Sequence, residues 1–289
     1  MSEKKNIPHK RKNPKYFFRR LTALFLIIAF IWYFNNYTIK ITKTSINSSK
    51  LVSSVKIAVM SDYHAEQYGI NPKSIIRKIN EINPDVVFYL GDMYSSGTSQ
   101  ENIDKAESLM IDTVKAGYEV FFVAGDHDTS VEYLNILMQN DVNVMNYQSQ
   151  ELEIRGNKIK IYGINNAYFP DTFNLSNEFQ LDDSYYNILM AHIPMYNYYN
   201  DFGADLTVCG DTHGGMIQFP FGLGAVYDSV TKKWLPELKY GKNNVYDKGL
   251  FRLSGSDKYM FITSGLGNYP VPARLNNRPE IAVIQLNPY

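Results

Sequence analysis

Four short segments share one pattern: Ala58-Val-Met-Ser-Asp-Tyr-His64, Leu90-Gly-Asp92, Ala124-Gly-Asp-His-Asp128 and Cys209-Gly-Asp-Thr-His-Gly-Gly215. In each, an apolar, β-branched or aromatic run stops at small residues and gives way at once to Asp or His, as a strand hands over to a loop that carries chemistry. Of the five histidines, His64, His127, His192 and His213 sit just past such a run, and only His9 lies elsewhere. One histidine after a strand is an ordinary structural residue. Four of five at equivalent places beside carboxylates indicate a site. Carboxylate oxygens suit Mg²⁺ or Mn²⁺ and imidazole suits Zn²⁺, Mn²⁺ or Fe, so the expectation is a metal site where these segments meet.

Positioning such loops requires regular elements between them. Val55–Met60 reads as a fully buried strand, and residues 72–83 as a helix whose Ile75, Ile76, Ile79 and Ile82 recur at helical spacing. Further strands are expected at 86–90 and 118–124, with helices at 101–116 and 130–140. The second half is richer in strands, at 152–155, 158–164, 187–191, 205–209, 258–264 and 281–286. Strand–helix alternation with loops of chemistry at strand C-termini is the signature of an α/β domain, which places its ligands at those ends.

The ordered motifs Asp62-Tyr-His64, Gly91-Asp92, Gly125-Asp-His127, His192 and Gly210-Asp-Thr-His213 resemble the calcineurin-like metallophosphoesterases from about Val55 onward. The resemblance implies a four-layer α-β-β-α sandwich and a hydrolase of phosphate esters. It also implies a dinuclear divalent metal centre, Mn²⁺ foremost with Fe, Zn²⁺ or Mg²⁺ as alternatives, that clamps the phosphoester substrate and activates a shared hydroxide. By resemblance, Asp62, His64 and His213 would hold one metal, Asp92 would bridge, and Asp126, His192 and Asp211 would hold the second. His127 would be the catalytic proton donor rather than a ligand. Two positions depart from the family pattern: Asp126 stands where Asn is usual, and Asp211 where His is usual. Four carboxylates instead of two would bring a two-dication centre near neutrality. They would also favour a harder cation at the second position, a retuned site rather than a dead one. The alternative is a catalytically impaired protein of the same fold that binds a metal or ligand at the cell surface.

The net charge of zero over 289 residues conceals an asymmetry, because residues 1–20 hold eight of the 29 basic residues and one of the 29 acidic ones. The remainder carries 21 basic and 28 acidic residues, poorly suited to gripping a nucleic-acid backbone, and no nucleic-acid partner is expected. After the basic tail comes an uncharged run from Leu21, which reaches Thr38 with Trp32, Tyr33 and Tyr37 at its outer end. Eighteen residues of helix span roughly 27 Å, about the thickness of a bilayer's hydrocarbon. The expectation is a cytoplasmic tail (1–20), an uncleaved transmembrane anchor (21–38) and one metallophosphoesterase domain (39–289). The basic flank would put the N-terminus inside and the catalytic domain outside the cell membrane. A cleaved signal peptide is the rival, weakened because Phe34-Asn-Asn-Tyr37 offers no small-x-small site. Residues 37–44 alternate as a half-buried strand that would seat the domain close to the membrane.

Other residues carry two readings each. Arg274 and Arg278 could fork onto a substrate phosphate or be surface charge. Asp128 could orient His127 or cap the helix beginning near Ser130. Gly214 and Gly215 suit a tight turn beside the metals, Tyr196, Tyr198 and Tyr199 a cleft wall or ordinary surface, and the lone Cys209 a buried strand.

Overall fold

Alternating side chains set the layering. Along the strand Val55–Met60, Val55, Ile57 and Val59 enter one apolar cluster, and Ala58 and Met60 another. Along Val86–Tyr89, Val86 and Phe88 join the first cluster, and Val87 and Tyr89 the second. Strands buried on both faces lie in the middle of a layered structure. In the computed structural model, which describes residues 14–65, 69–128, 130–165, 174–228, 233–234, 246–254, 257–269 and 272–289, they lie in one of two facing sheets.

The first sheet contains β1 (Lys40–Ser48), β2 (Val55–Met60), β3 (Val86–Tyr89), β4 (Val120–Phe122), β5 (Asn143–Val144) and β14 (Glu280–Pro288), in the order β1-β14-β2-β3-β4-β5. β2 to β5 are parallel, while β14 runs antiparallel to β2 and parallel to β1. The second sheet contains β6 (Gln148–Ile154), β7 (Asn157–Gly163), β8 (Tyr186–Met190), β9 (Leu206–Cys209), β12 (Gly249–Arg252) and β13 (Tyr259–Ile262), in the order β12-β13-β9-β8-β7-β6. Its inner strands β7, β8, β9 and β13 are parallel. A separate two-stranded ribbon pairs β10 (Tyr227–Asp228) with β11 (Lys233–Trp234).

Between the sheets, Val55, Ile57 and Phe88 pack with Ile161, Ile188, Val208 and Phe261. Helices α2 (Pro72–Ile82), α3 (Gln100–Lys115) and α4 (Val131–Gln139) cover the outside of the first sheet through Ile75, Ile79, Leu109, Met110 and Leu137. On the outside of the second, α5 (Leu175–Glu178) and α6 (Tyr196–Phe202) bury Leu175, Tyr199 and Phe202 beside Tyr162, Leu189 and Cys209. The result is the four-layer α-β-β-α sandwich, each buried large apolar side chain contributing about 1.5–3 kcal/mol. Helix α2 has clear end signals: the Asn71 side chain accepts from Lys73 N, Pro72 occupies the first turn, and Asn83 ends it in left-handed backbone.

The apolar N-terminal segment is helix α1 (Pro14–Tyr37), long and apolar enough to cross a membrane and exposed along most of its length. Because it continues to Tyr37, the following strand starts at Lys40, later than the alternation suggests, and then runs on to Ser48. The C-terminal end of α1 is fastened to the loop that follows β13. Trp32 Nε1 donates to Pro272 O at 2.8 Å, and Asn36 exchanges two hydrogen bonds with the backbone of Arg274. Asn268 Nδ2 donates to Asn36 O at 2.8 Å.

Candidate metal centre

The parallel strands of the two sheets end at one rim, and the chemistry-bearing residues lie just beyond those ends. Asp62 and His64 follow β2, Asp92 follows β3, Asp126 and His127 follow β4, His192 follows β8, and Asp211 and His213 follow β9. Backbone bonds knit the loops together: Asp62 N donates to Gly91 O at 2.9 Å, His64 N to Asp92 O at 3.0 Å, and Gly210 N to His192 O at 2.9 Å. Contacts that join the sheets include Asp211 N to Asp62 Oδ1 at 3.1 Å, His192 Nδ1 to Leu90 O at 2.6 Å and Leu266 N to Ser61 O at 2.9 Å.

Asp62, His64, Asp92, Asp211 and His213 all have positive φ, between 49° and 66°. Non-glycine residues visit this left-handed region at a cost of order 1–3 kcal/mol each, and only where the surroundings over-determine them. Here the sharp reversal turns each side chain back over the strand ends. Gly91 (φ 89°) and Gly125 make the close passage possible, since a Cβ on Gly91 would strike the Gly125 backbone and one on Gly125 would strike the Asp92 carboxylate.

All eight residues named from the sequence converge. Four groups have donor atoms within 4.8 Å of one another: Asp62–His64–His213, His64–Asp92–His127, Asp62–Asp92–His192 and Asp126–His192–Asp211. Asp62, His64, Asp92 and His192 each belong to two of them. Asp92 Oδ2 is 3.4 Å from His192 Nε2, 3.8 Å from His64 Nε2 and 3.9 Å from His127 Nε2. His192 Nε2 is also 3.6 Å from Asp126 Oδ1 and 3.9 Å from Asp211 Oδ1, and His213 Nε2 is 3.6 Å from Asp62 Oδ1.

The electrostatics suit cations. Burial, then repulsion from Asp92, lifts the Asp62 carboxyl to about 7, with His192 opposing. Burial, with like charge from neighbouring imidazoles, holds His64 well below the usual imidazole value, and burial with Arg274 holds His213 at about 3. Both rings are therefore neutral and have a lone pair to offer. His192 is buried, which opposes its charge, yet Asp92 and Asp126 hold its pKa well above the usual value. Asp126 in turn is lowered to about 2, chiefly by the His192 imidazole beside it. Since Leu90 O can only accept, His192 Nδ1 carries a proton, and Nε2, buried without a hydrogen-bond partner, faces carboxylate oxygens. Only a proton or a cation relieves that arrangement, and the mixed carboxylate–imidazole donors fit divalent metal ions.

His127 differs from the other imidazoles. Its Nδ1 accepts the Ser96 N–H at 2.9 Å, so the neutral ring carries its proton on Nε2 and presents a donor toward the cluster.

Several other residues take positions the sequence did not indicate. Arg274 is buried, and its guanidinium donates to the carbonyls of Gly267 (2.7 and 2.9 Å), Ser264 (2.8 Å), Asn277 (3.3 Å) and Gly265 (3.4 Å). It braces the loop after β13 instead of offering a fork to a phosphate. Arg278 donates to Thr38 Oγ1 at 2.9 Å and Ile39 O at 2.9 Å and lines a different cavity, so it does not reach the cluster either. Asp128 neither orients His127 nor caps α4. Its carboxylate accepts from Met93 N at 2.8 Å and Gly125 N at 2.6 Å, and Ser130 is the cap. Tyr199 is buried against the second sheet, while Gly214 and Gly215 have positive φ in the turn carrying His213.

Tyr269 is the residue that the sequence reading missed. Its ring stacks on His64 with centroids 4.4 Å apart and meets His127 edge-on at 5.2 Å. A signal existed, since Phe261-Ile-Thr-Ser-Gly-Leu-Gly267 repeats the apolar-run-then-glycine pattern of the other site loops.

Similarity to known proteins agrees with this geometry. The calcineurin-like phosphoesterase family matches residues 55–215. The uncharacterized metallophosphoesterase YkuE of Bacillus subtilis (strain 168) is 26% identical over 88% of this chain and 87% of its own. The uncharacterized metallophosphoesterase YkoQ of the same organism is 23% identical over 91% and 97%. One from Helicobacter pylori (strain J99) is 26% identical over 98% of this chain and 74% of its own.

Proposed function

The chain belongs to the calcineurin-like phosphoesterase family and is a metal-dependent phosphoester hydrolase, and from that premise we propose a two-cation site in which Asp92 is shared. Asp62, His64 and His213 hold one ion, and Asp126, His192 and Asp211 the other. The observation that carries this reading is the Asp92 carboxylate, whose Oδ2 lies 3.8 Å from His64 Nε2 of one set and 3.4 Å from His192 Nε2 of the other. When bound, two divalent cations supply Lewis acidity and a nucleophile from water at neutral pH.

The side chains contribute the rest. Asp62 and Asp92 orient the ions from fixed, buried positions, and the Asp211 N–H to Asp62 bond keeps the two sheets in register at the rim. His127 Nε2–H donates to a phosphoryl oxygen or to the departing alkoxide, held for that task by Ser96 N. The carboxylates at 126 and 211 lower the positive charge facing the phosphate and favour Mn²⁺ or Mg²⁺ at the second position. The exposed apolar helix α1 supports a membrane-anchored enzyme whose site faces outward, acting on a lipid-linked or envelope phosphoester.

The test is Mn²⁺-dependent release of nitrophenol from mono- and bis-nitrophenyl phosphate by the full chain, with Asp92→Asn as control. Turnover that needs metal and falls at least about a hundredfold in the variant supports the reading. Metal-independent turnover, or turnover unaffected by Asp92→Asn, refutes it.

A further inference from the structure

A cavity of about 670 Å³ lies where the last turns of α1 meet β1, and none of the eight converging residues lines it. Its wall includes three cations, Lys40, Lys248 and Arg278, the last stacked over the Phe34 ring at 4.3 Å. Lys40 opens β1, is exposed, and has no side-chain partner among the described residues. Arg278 spends Nε and Nη2 on Thr38 and Ile39, while its Nη1 has no partner among the described residues. Lys248 Nζ donates to a neutral acceptor, Asn277 Oδ1, at 2.8 Å. Burial draws its pKa down to about 8, with Lys40 and Arg274 adding to that pull and Glu280 and Asp247 opposing it.

The one carboxylate in the wall, Glu280, already accepts from Thr263 Oγ1 at 3.0 Å and Ser264 N at 2.9 Å. Thr42 also lines the cavity, and its buried hydroxyl has no hydrogen-bond partner. Three cations and an unused hydroxyl outnumber the one carboxylate and leave the wall with a positive excess, complementary to an anion with several acceptor oxygens.

The same cavity has an apolar lip. Phe221 is 97% exposed and sits at φ 64°, so a strained backbone holds an aromatic ring in the open. Phe34 of α1 lines the cavity beside it, which puts Phe221 level with the end of the apolar helix. An aromatic side chain next to cations at that level matches the boundary between hydrocarbon and headgroups.

We propose that this cavity binds the phosphate headgroup of an anionic phospholipid, with Phe221 set among the acyl chains beside α1. The proposal rests on the membrane-anchored reading of α1. Free phosphate would leave Phe221 uncovered, and phosphatidylcholine would bring its own cation to Lys40 and Arg278. The geometry therefore assigns the site to a lipid with net negative charge.

The experiment uses the full chain in phosphatidylcholine nanodiscs, titrated with short-chain phosphatidylglycerol, short-chain phosphatidylcholine or inorganic phosphate, with binding followed by calorimetry. Saturable binding of phosphatidylglycerol, weakened about tenfold or more by Lys40→Gln and by Lys248→Gln, is expected. Lys40 is on an exposed strand end, so its variant serves if Lys248→Gln fails to fold. Turnover of nitrophenyl phosphate should not change in Lys40→Gln. Equal binding of the two lipids, or phosphate binding as tightly as phosphatidylglycerol, overturns the headgroup site. Release of the chain from vesicles at alkaline pH overturns the anchored reading itself, and the headgroup site with it.

Discussion

The phenol ring of Tyr269 lies nearly parallel to the His64 imidazole, 18° from coplanar, and presents its face at 70° to His127. It thus touches both a candidate ligand and the candidate proton donor. Groups that orient metal-binding imidazoles commonly matter ten- to a hundredfold for metal retention. Tyr269→Ala is expected to lower metal affinity about tenfold, whereas Tyr269→Phe, which keeps the stacked face, should retain it. Competition with a chelator measures both, and equal loss in the two variants would remove stacking as the cause.

His127 is held by Ser96 N with its donor toward the cluster. His127→Ala should reduce kcat by about 10²–10⁴ while leaving metal content and KM close to the parent. Steady-state kinetics with elemental analysis of the same sample checks it. Loss of metal in parallel with activity would make His127 a ligand instead.

Asp126 and Asp211 both lie within 4 Å of His192 Nε2, at 3.6 and 3.9 Å. Replacing them with Asn and His removes two negative charges and adds an imidazole. The double variant should shift the preferred metal from Mn²⁺ or Mg²⁺ toward Zn²⁺ or Fe. Unchanged metal content and rates across Mn²⁺, Zn²⁺ and Mg²⁺ would show that these carboxylates do not tune the second position.

Asp128 gives a prediction about stability. Burial, with Asp92 next in effect, raises its carboxyl to about 6, while hydrogen bonds from Met93 N and Gly125 N oppose the rise. A raised carboxyl means that the folded chain binds more protons than the unfolded chain between the ordinary value near 4 and about 6. Its contribution is therefore most favourable at the acidic end and declines as pH rises through that window. Relative to Asp128→Asn, the wild-type chain should lose roughly 1–3 kcal/mol of unfolding free energy between about pH 4 and pH 7. Denaturant unfolding at several pH values tests it, and a constant difference between the two proteins would contradict it.

Much of the site could be read from the sequence because Asp62, Asp92 and His192 announce themselves locally, each just past a buried strand. The buried strand Val55–Met60 was legible for the same reason, with Ile57 and Ala58 on its opposite faces, whereas the four-layer arrangement followed only from the family resemblance. What could not be read depends on partners distant in sequence. Nothing around Arg274 signals that carbonyls from 264 to 267 will converge on its guanidinium. Helix α6 was missed because Tyr-Asn-Tyr-Tyr-Asn-Asp-Phe has poor intrinsic helix propensity, and it forms because Tyr199 and Phe202 bury against the sheet. Tyr269 was lost among 23 tyrosines.

The insertion of β14 between β1 and β2 has a temporal consequence. Residues 280–288 form an interior strand, so β1 lacks its neighbour until those residues have been synthesised. Contacts across some 240 positions, such as Lys40 with Glu280, make closure of this sheet a late event in biosynthesis.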